Sequence, residues 1–317
     1  MKIAFNCSGG LGNNGGSRTV IRCQQTIKKL GHDCNIITNN DRFNWFTHDT
    51  TLPRIPSNID ALIATDIKSV KPTVRSNAKN KFWYIRGHEI WVPGWDEDKL
   101  ISYYKNSRVT KITNSIWMKK FIESFGGKCH LVYQGIDFDW WKDYDLRSER
   151  KITIGCLWSK LASKGWPSFE VLHNLLGKDN YRFVAFGNKK LKKQPSWLDK
   201  YIVNPNRVDL AKLYSECDVW FAPTELEGLH NVPMEASLCG ARIVCGDHPR
   251  NGMADYATED TAYIYDDHNI AKAAELINGM IFVDNKLVNM NNTLRHKIGS
   301  REKNMKKFIK ILEDKVD

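Results

Sequence analysis

The sequence has no apolar run approaching the roughly 18 residues that a membrane-spanning helix needs, and Met1 leads straight into a short strand-like run at residues 2–7. No basic-then-apolar leader stands there. These absences set the expectation of a cytoplasmic protein, with peripheral attachment as the remaining route to a membrane. Cys-x-x-Cys pairs are also missing. The eight cysteines (Cys7, Cys23, Cys34, Cys129, Cys156, Cys217, Cys239 and Cys245) are scattered, which argues against a zinc knuckle or a thioredoxin-like redox centre. They read as reduced, mostly buried thiols. Low-complexity tracts are absent too, and 42% hydrophobic with 26% charged residues is the profile of a folded globular chain.

At 317 residues the chain exceeds what one hydrophobic core usually organises, so two domains of about 150 residues each are expected. The formal charge of +11 suits phosphorylated ligands, acidic lipid and nucleic acid alike. The basic residues form no single long run, so the charge alone does not choose among these or solubility.

Short apolar runs alternate with amphipathic segments, the signature of parallel α/β sheets. Strands are expected at 2–7, 34–38, 59–64, 82–85, 109–113 and 130–133, then at 152–157, 182–186, 218–222 and 242–245. Helices are expected at 17–30, from a cap at Ser115 to Gly126, and at 166–176, 209–215, 233–239 and 270–280. The segment DFDWWKDYDLRSER at 137–150 is polar and aromatic without periodicity and marks the domain connection. The expected organisation is an N-terminal Rossmann-like domain at 1–140, a linker at 141–150, a C-terminal Rossmann-like domain at 151–299, and a helix at 300–317. That helix carries Met305, Phe308, Ile309 and Leu312 at helical spacing and should pack back on the body. Doubly wound sheets bind ligands beyond the carboxyl ends of their strands.

Two motifs invite chemistry. Gly10-x-Gly12-x-x-Gly15 sits between a strand and a helix, as in dinucleotide-binding turns, where glycines let the backbone approach an anion at a helix N-terminus. With Asp41 after the second strand, it supports an NAD-dependent oxidoreductase as an alternative reading. The second motif, PTELEGLHNVPMEASLCG at 223–240, follows a strand directly. Its loop runs into a helix with proline in the first turn, exposing backbone N–H groups of 229–232 that can hold a diphosphate without metal. Glu235 can accept from a vicinal diol such as a ribose, and Glu227 reaches another part of the same ligand.

The segment 227–235 resembles the Glu, seven residues, Glu signature of the retaining GT-B glycosyltransferases of family 4, also described as glycosyl transferases group 1. LYSECDVWFAPTELEG before it and CGARIVCGD after it resemble the same family, as do GGSRTV at 15–20, KITNSIW at 111–117 and VYQGID at 132–137. The pieces keep the family's order and span most of the chain. The resemblance implies GT-B, two doubly wound Rossmann-like domains facing across a cleft, with the acceptor on the first and the nucleotide sugar on the second. It implies Glu235 on the donor ribose, Glu227 on hydroxyls of the transferred sugar, and Gly228, Leu229, His230 and Asn231 on the donor phosphates. Gly15 and Gly16 fall in its N-terminal glycine loop. His230 departs from the family's usual glycine.

Trp158-Ser-Lys-Leu-Ala-Ser-Lys164-Gly165 resembles the family's basic loop, in which an arginine and a lysine five positions later neutralise the diphosphate. Lys164 fits, Ser159 stands at the arginine position, and Lys160 is its neighbour. His88, in Arg86-Gly-His88-Glu89, lies where the family places a histidine facing sugar and acceptor, although a lone histidine is more often structural; Glu89 is the nearer acid if an acceptor base is needed. The Asp-x-Asp at 137–139 is set aside as a metal site, since amides and lysines already neutralise phosphate.

The function expected is transfer of a sugar from a nucleoside diphosphate sugar, of UDP or GDP type, to an acceptor hydroxyl of a glycan or glycolipid. Retention, no metal and no further cofactor are implied by the resemblance. Alternatives are glycosylation of a modified base in DNA and an inactive nucleotide-sugar-binding module.

Overall fold

A computed structural model describes residues 1–106, 108–147, 150–266, 268–280 and 284–314, and the statements below concern these. Two positions of the expected linker (148 and 149) and the last three of the expected terminal helix fall outside them. The chain divides into two compact units, one of Met1–Ile136 with Gly299–Asp317 and one of Asp137–Ile298.

In the first unit, β1 (Lys2–Asn6), β2 (Asp33–Ile37), β3 (Ala61–Ala64), β4 (Asn80–Ile85), β5 (Thr110–Thr113) and β6 (Cys129–Leu131) form one parallel sheet in the order β2-β1-β3-β4-β5-β6. Helices α1 (Gly15–Lys29), α2 (Ile67–Arg75), α3 (Glu97–Tyr104) and α4 (Ile116–Glu123) connect its strands. The second unit repeats the plan with β7 (Ile152–Leu157), β8 (Tyr181–Gly187), β9 (Lys200–Val203), β10 (Val219–Ala222), β11 (Arg242–Gly246) and β12 (Tyr263–Tyr265) in the order β12-β11-β10-β7-β8-β9. Its helices are α5 (Trp166–Leu176), α6 (Arg207–Glu216), α7 (Asn231–Leu238), α8 (Ile270–Asn278) and α9 (Lys286–Thr293). Both sheets are doubly wound.

Central strands such as β3 and β10 are buried along their whole length, because helices cover both faces of a parallel sheet. This is why they read as unbroken apolar runs. The last helix, α10 (Arg301–Glu313), belongs to the first unit: Ser300 caps it, and Met305, Phe308, Ile309 and Leu312 join the core of Ile3, Phe5 and Val20. The Phe308 ring lies 6.2 Å from that of Phe5 and 5.2 Å from that of Tyr84. Gly135, at φ 69°, lets this returning chain pass, since a Cβ there would stand 2.4 Å from the Arg301 Cα. All eight cysteines are buried and none is in a disulfide.

Where the elements depart from the pattern, the reasons are local. Helix α2 carries Pro72 inside it and starts on a capping box of Asp66 and Ser69. β9 and β12 are sheet edges, half-exposed and short. Residues 137–147 belong to the second unit: after a 3₁₀ turn at Phe138–Trp140, Trp141 is buried against Tyr214 with ring centroids 5.8 Å apart. Aromatic content that reads as a connection is here a packed segment.

Candidate functional site

In the second sheet, β7 lies between β10 and β8, so the winding direction reverses between β7 and β10. The crevice beyond the carboxyl ends of two such strands is where doubly wound sheets take ligands. The loop leaving β7 carries Ser159, Lys160 and Lys164, and the loop leaving β10 carries Glu227 and His230. Gly165 brings the two together: it has φ 69°, and a Cβ would lie 2.4 Å from the Pro223 carbonyl oxygen. Any other residue would be strained in backbone and would push the loops apart. Glu225 N–H donates to the Ser163 carbonyl at 2.9 Å, fastening the same junction.

The Lys164 ammonium is bonded to the Glu227 carboxylate. Burial opposes the Glu227 charge, but Lys164, His230 and an N–H from Gly228 outweigh it and hold the carboxyl below its ordinary range. The Gly228 amide, expected on a phosphate, is thus turned to Glu227 in this state. The loop after β11 forms a third wall. Glu227 N–H donates to the Arg250 carbonyl at 3.3 Å, and its own carbonyl accepts from Gly252 at 3.2 Å. Asn251 donates to the Thr224 carbonyl at 2.5 Å.

Helix α7 begins at Asn231, and its N-cap, His230, supplies no side-chain cap. Leu229 is buried, and Asn231 is half-buried. Glu235 is buried one turn along, 3.4 Å from the Tyr214 hydroxyl. The His230 ring is 3% exposed, and neither ring nitrogen has a hydrogen-bond partner; leaving such groups unsatisfied costs about 1–3 kcal/mol each. Burial and the Lys164 charge, against the pull of Glu227, press its pKa down to about 3. Ser159 uses its hydroxyl to accept from Leu161 N–H at 3.2 Å, and Lys160 is exposed.

One consequence is pH dependence. The folded ring refuses a proton that the unfolded chain takes below about pH 6.5, so stability falls on acidification. Between pH 7 and pH 5 the loss is about 2 kcal/mol by this linkage. Denaturant unfolding of the wild type and of His230→Gln at both pH values checks this; the variant should lack the loss, and groups common to both proteins cancel in the difference.

In the first unit, Gly15 and Gly16 open α1, and the cap Asn14 accepts from Ser17 N–H at 2.8 Å. The Gly16 carbonyl accepts from Arg86, which also donates to the Thr65 carbonyl at 2.9 Å. Asp66 accepts from Gly9 N–H at 3.3 Å, and Glu89 from Ile67 N–H at 2.8 Å. Burial raises Asp66 and pushes Glu89 up to about 7. This group follows β1, β3 and β4, where the first sheet reverses its winding. Asp66 and Arg86 were not expected there; their signals are the Asp-x-x-Ser cap after a strand and an Arg-Gly step after the next.

His88 does not meet the expectation of a ligand-facing ring. It is fully buried, with Nδ1 3.0 Å from the Tyr104 hydroxyl, Nε2 3.7 Å from Glu97 and Phe121 packed edge-on. Its neighbour Glu89 points instead to the start of α2. The dinucleotide reading loses its acid in a similar way. Asp41 lies beyond β2, bridges to Leu11, and spends its carboxylate on Phe43 N–H at 3.2 Å and on His48.

Residues 167–281, just over a third of the chain, match the family model described as Glycosyl transferases group 1. No curated protein matches the sequence. Among solved structures, the chain is similar to HepE (Alr3699) of Anabaena in complex with UDP-glucose, at 14% identity over 99% of this chain and 100% of that one, with a TM-score of 0.78. It is also similar to sucrose-phosphate synthase of Thermosynechococcus elongatus, at 12% identity over 99% of each chain and a TM-score of 0.77. The fold is GT-B. The GT-B likeness extends to a mutant TarM of S. aureus in complex with fondaparinux, alpha-GlcNAc-glycerol and UDP, at 13% identity over 80% of this chain and a TM-score of 0.65. The chain spans 55% of that TarM chain. Within the GT-B second unit, Glu227 and Glu235 fall inside the matched segment, while Lys164 lies just ahead of it.

Proposed function

We propose that the chain is a glycosyltransferase that moves a sugar from a nucleoside diphosphate sugar to an acceptor hydroxyl, with the donor held by the second unit. The observation that carries this reading is the Lys164–Glu227 pair at the reversal point of the sheet, beside the N-terminus of α7. In this reading the diphosphate takes Lys164, with Lys160, Leu229 and Asn231 alongside. Glu235 accepts from the ribose and Glu227 from hydroxyls of the transferred sugar. The bond from the anomeric carbon to the diphosphate breaks, and the acceptor oxygen bonds to that carbon on the same face. The departing phosphate oxygen takes the acceptor's proton. Cations and helix amides aimed at the leaving group act where negative charge grows.

The UDP and UDP-glucose named with the similar structures support a UDP-type donor, and fondaparinux with TarM supports a glycan acceptor. Among the described residues no helix is long and apolar enough to cross a membrane; the charge of +11 supports attraction to an anionic surface or a lipid-linked acceptor.

A thermal-shift panel of UDP-, GDP-, TDP- and ADP-sugars tests the reading. A donor at a hundredfold over its Kd adds about 2.7 kcal/mol of stability, a shift of several degrees. Failure of every member to raise the Tm would overturn the proposal.

A further inference from the structure

We propose that His230 reads a neighbouring pair of hydroxyls on the transferred sugar, so that this site selects a hexosyl donor with both hydroxyls free over a deoxy sugar donor. The proposal rests on the donor-site reading above and names the sugar class for it.

A structural histidine ordinarily spends at least one ring nitrogen on a carbonyl, hydroxyl or carboxylate. The His230 ring does neither, although both nitrogens are buried. A polar neighbour is at hand, but the Tyr256 hydroxyl donates to the His230 carbonyl, at 2.6 Å, and not to the ring. That contact fixes the backbone at the entrance of the eight-residue helix α7 and leaves the ring with its bonding capacity unspent. The ring also lies within the fields of both Lys164 and Glu227, which are bonded to each other. Two buried, orphaned nitrogens at the N-terminus of α7, in the same loop as Glu227 and its half-buried pair with Lys164, leave a ligand as their remaining partner.

The chemistry of that partner follows from the ring. A neutral imidazole offers one N–H and one lone pair. Neighbouring sugar hydroxyls both accept and donate, so a diol satisfies both nitrogens together. A sugar that lacks one hydroxyl of the pair leaves one nitrogen without its partner. When a diphosphate draws Lys164 to itself, Glu227 is released from its ion pair, and carboxylate and imidazole then present a joined set of donors and acceptors to the sugar.

The test uses the full chain with UDP and GDP for nucleotide binding, and UDP-glucose, GDP-mannose and their 2-, 3- and 4-deoxy analogues for donor hydrolysis, comparing wild type with His230→Ala and His230→Asn. Expected is a ten- to hundredfold loss of kcat/KM in His230→Ala on the parent donor, with nucleotide binding unchanged and partial recovery in His230→Asn, whose amide keeps a donor and an acceptor. Wild type should prefer the parent donor to at least one of its deoxy analogues by at least tenfold, and His230→Ala should not. An unchanged kcat/KM in His230→Ala, or equal use of the parent and every deoxy donor, overturns the role of His230 while leaving the donor reading intact. Absence of nucleotide binding by the wild type overturns the donor reading itself. If His230→Ala does not fold, the same comparison is made with His230→Asn against His230→Phe, which keeps the bulk without the nitrogens, and Phe must show the larger loss.

Discussion

Replacing Glu227 with alanine should lower donor turnover by about 10–10²-fold, since it removes charged hydrogen bonds to hydroxyls of the transferred sugar, worth about 1.5–3 kcal/mol each. The reason lies in its bonding. Glu227 sits between the loops that leave β7 and β10, is joined to Lys164, and is held by backbone bonds to Arg250 and Gly252. Its carboxyl stays ionised against burial because Lys164 and the Gly228 amide stand beside it. Deleting it frees Lys164 for the diphosphate, so binding of UDP or GDP should be retained or strengthened while kcat falls. Calorimetric titration of the nucleotide with steady-state donor hydrolysis separates the two effects. An inert binding module would show no turnover in either protein, and equal turnover in both would remove Glu227 from the reaction. Glu227→Gln, which keeps the shape and loses the charge, should fall between.

Replacing Phe308 with alanine should destabilise the first unit by about 3–5 kcal/mol, the range for an emptied aromatic site in a packed core. Phe308 is fully buried and touches the rings of Phe5 and Tyr84 from a helix near the far end of the sequence. Native-state hydrogen exchange should report faster opening of β1 and β4 amides, with those of β7 and β10 far less affected. Equal acceleration in both sheets would mean that the two units unfold as one, and no acceleration would contradict the packing of α10.

Much of the proposed donor region is legible in the sequence because its residues carry their own structural reasons. Strand β7 and helix α5 have the bounds that the pattern predicts: six apolar-rich residues, then a loop closed by Gly165, then a helix stopped at Gly177. Glu227 and Lys164 were named separately, sixty residues apart, and the fold bonds them. His88 shows the limit. Adjacent residues in a loop after a strand face different ways, and nothing in Arg-Gly-His-Glu says that the ring turns into the core while the next carboxylate turns to α2. Asp66 and Arg86 escaped because their partners are backbone groups of other loops, which sequence spacing does not display. Edge strands such as β9 lack the apolar run that burial imposes, and Pro72 hides α2 from a helical reading.

The placement of α10 has a consequence for how the protein is made. A ribosome delivers the chain in order, and domains generally fold as they emerge. The second unit, Asp137–Ile298, is complete before Met305, Phe308 and Leu312 have been polymerised. Until then the sheet that emerged first keeps the ground around Phe5, Val20 and Tyr84 uncovered, an apolar groove open to chaperones and to other nascent chains. Of the two units, the one whose sheet is synthesised first is therefore completed after the other, with α10 as its closing stitch.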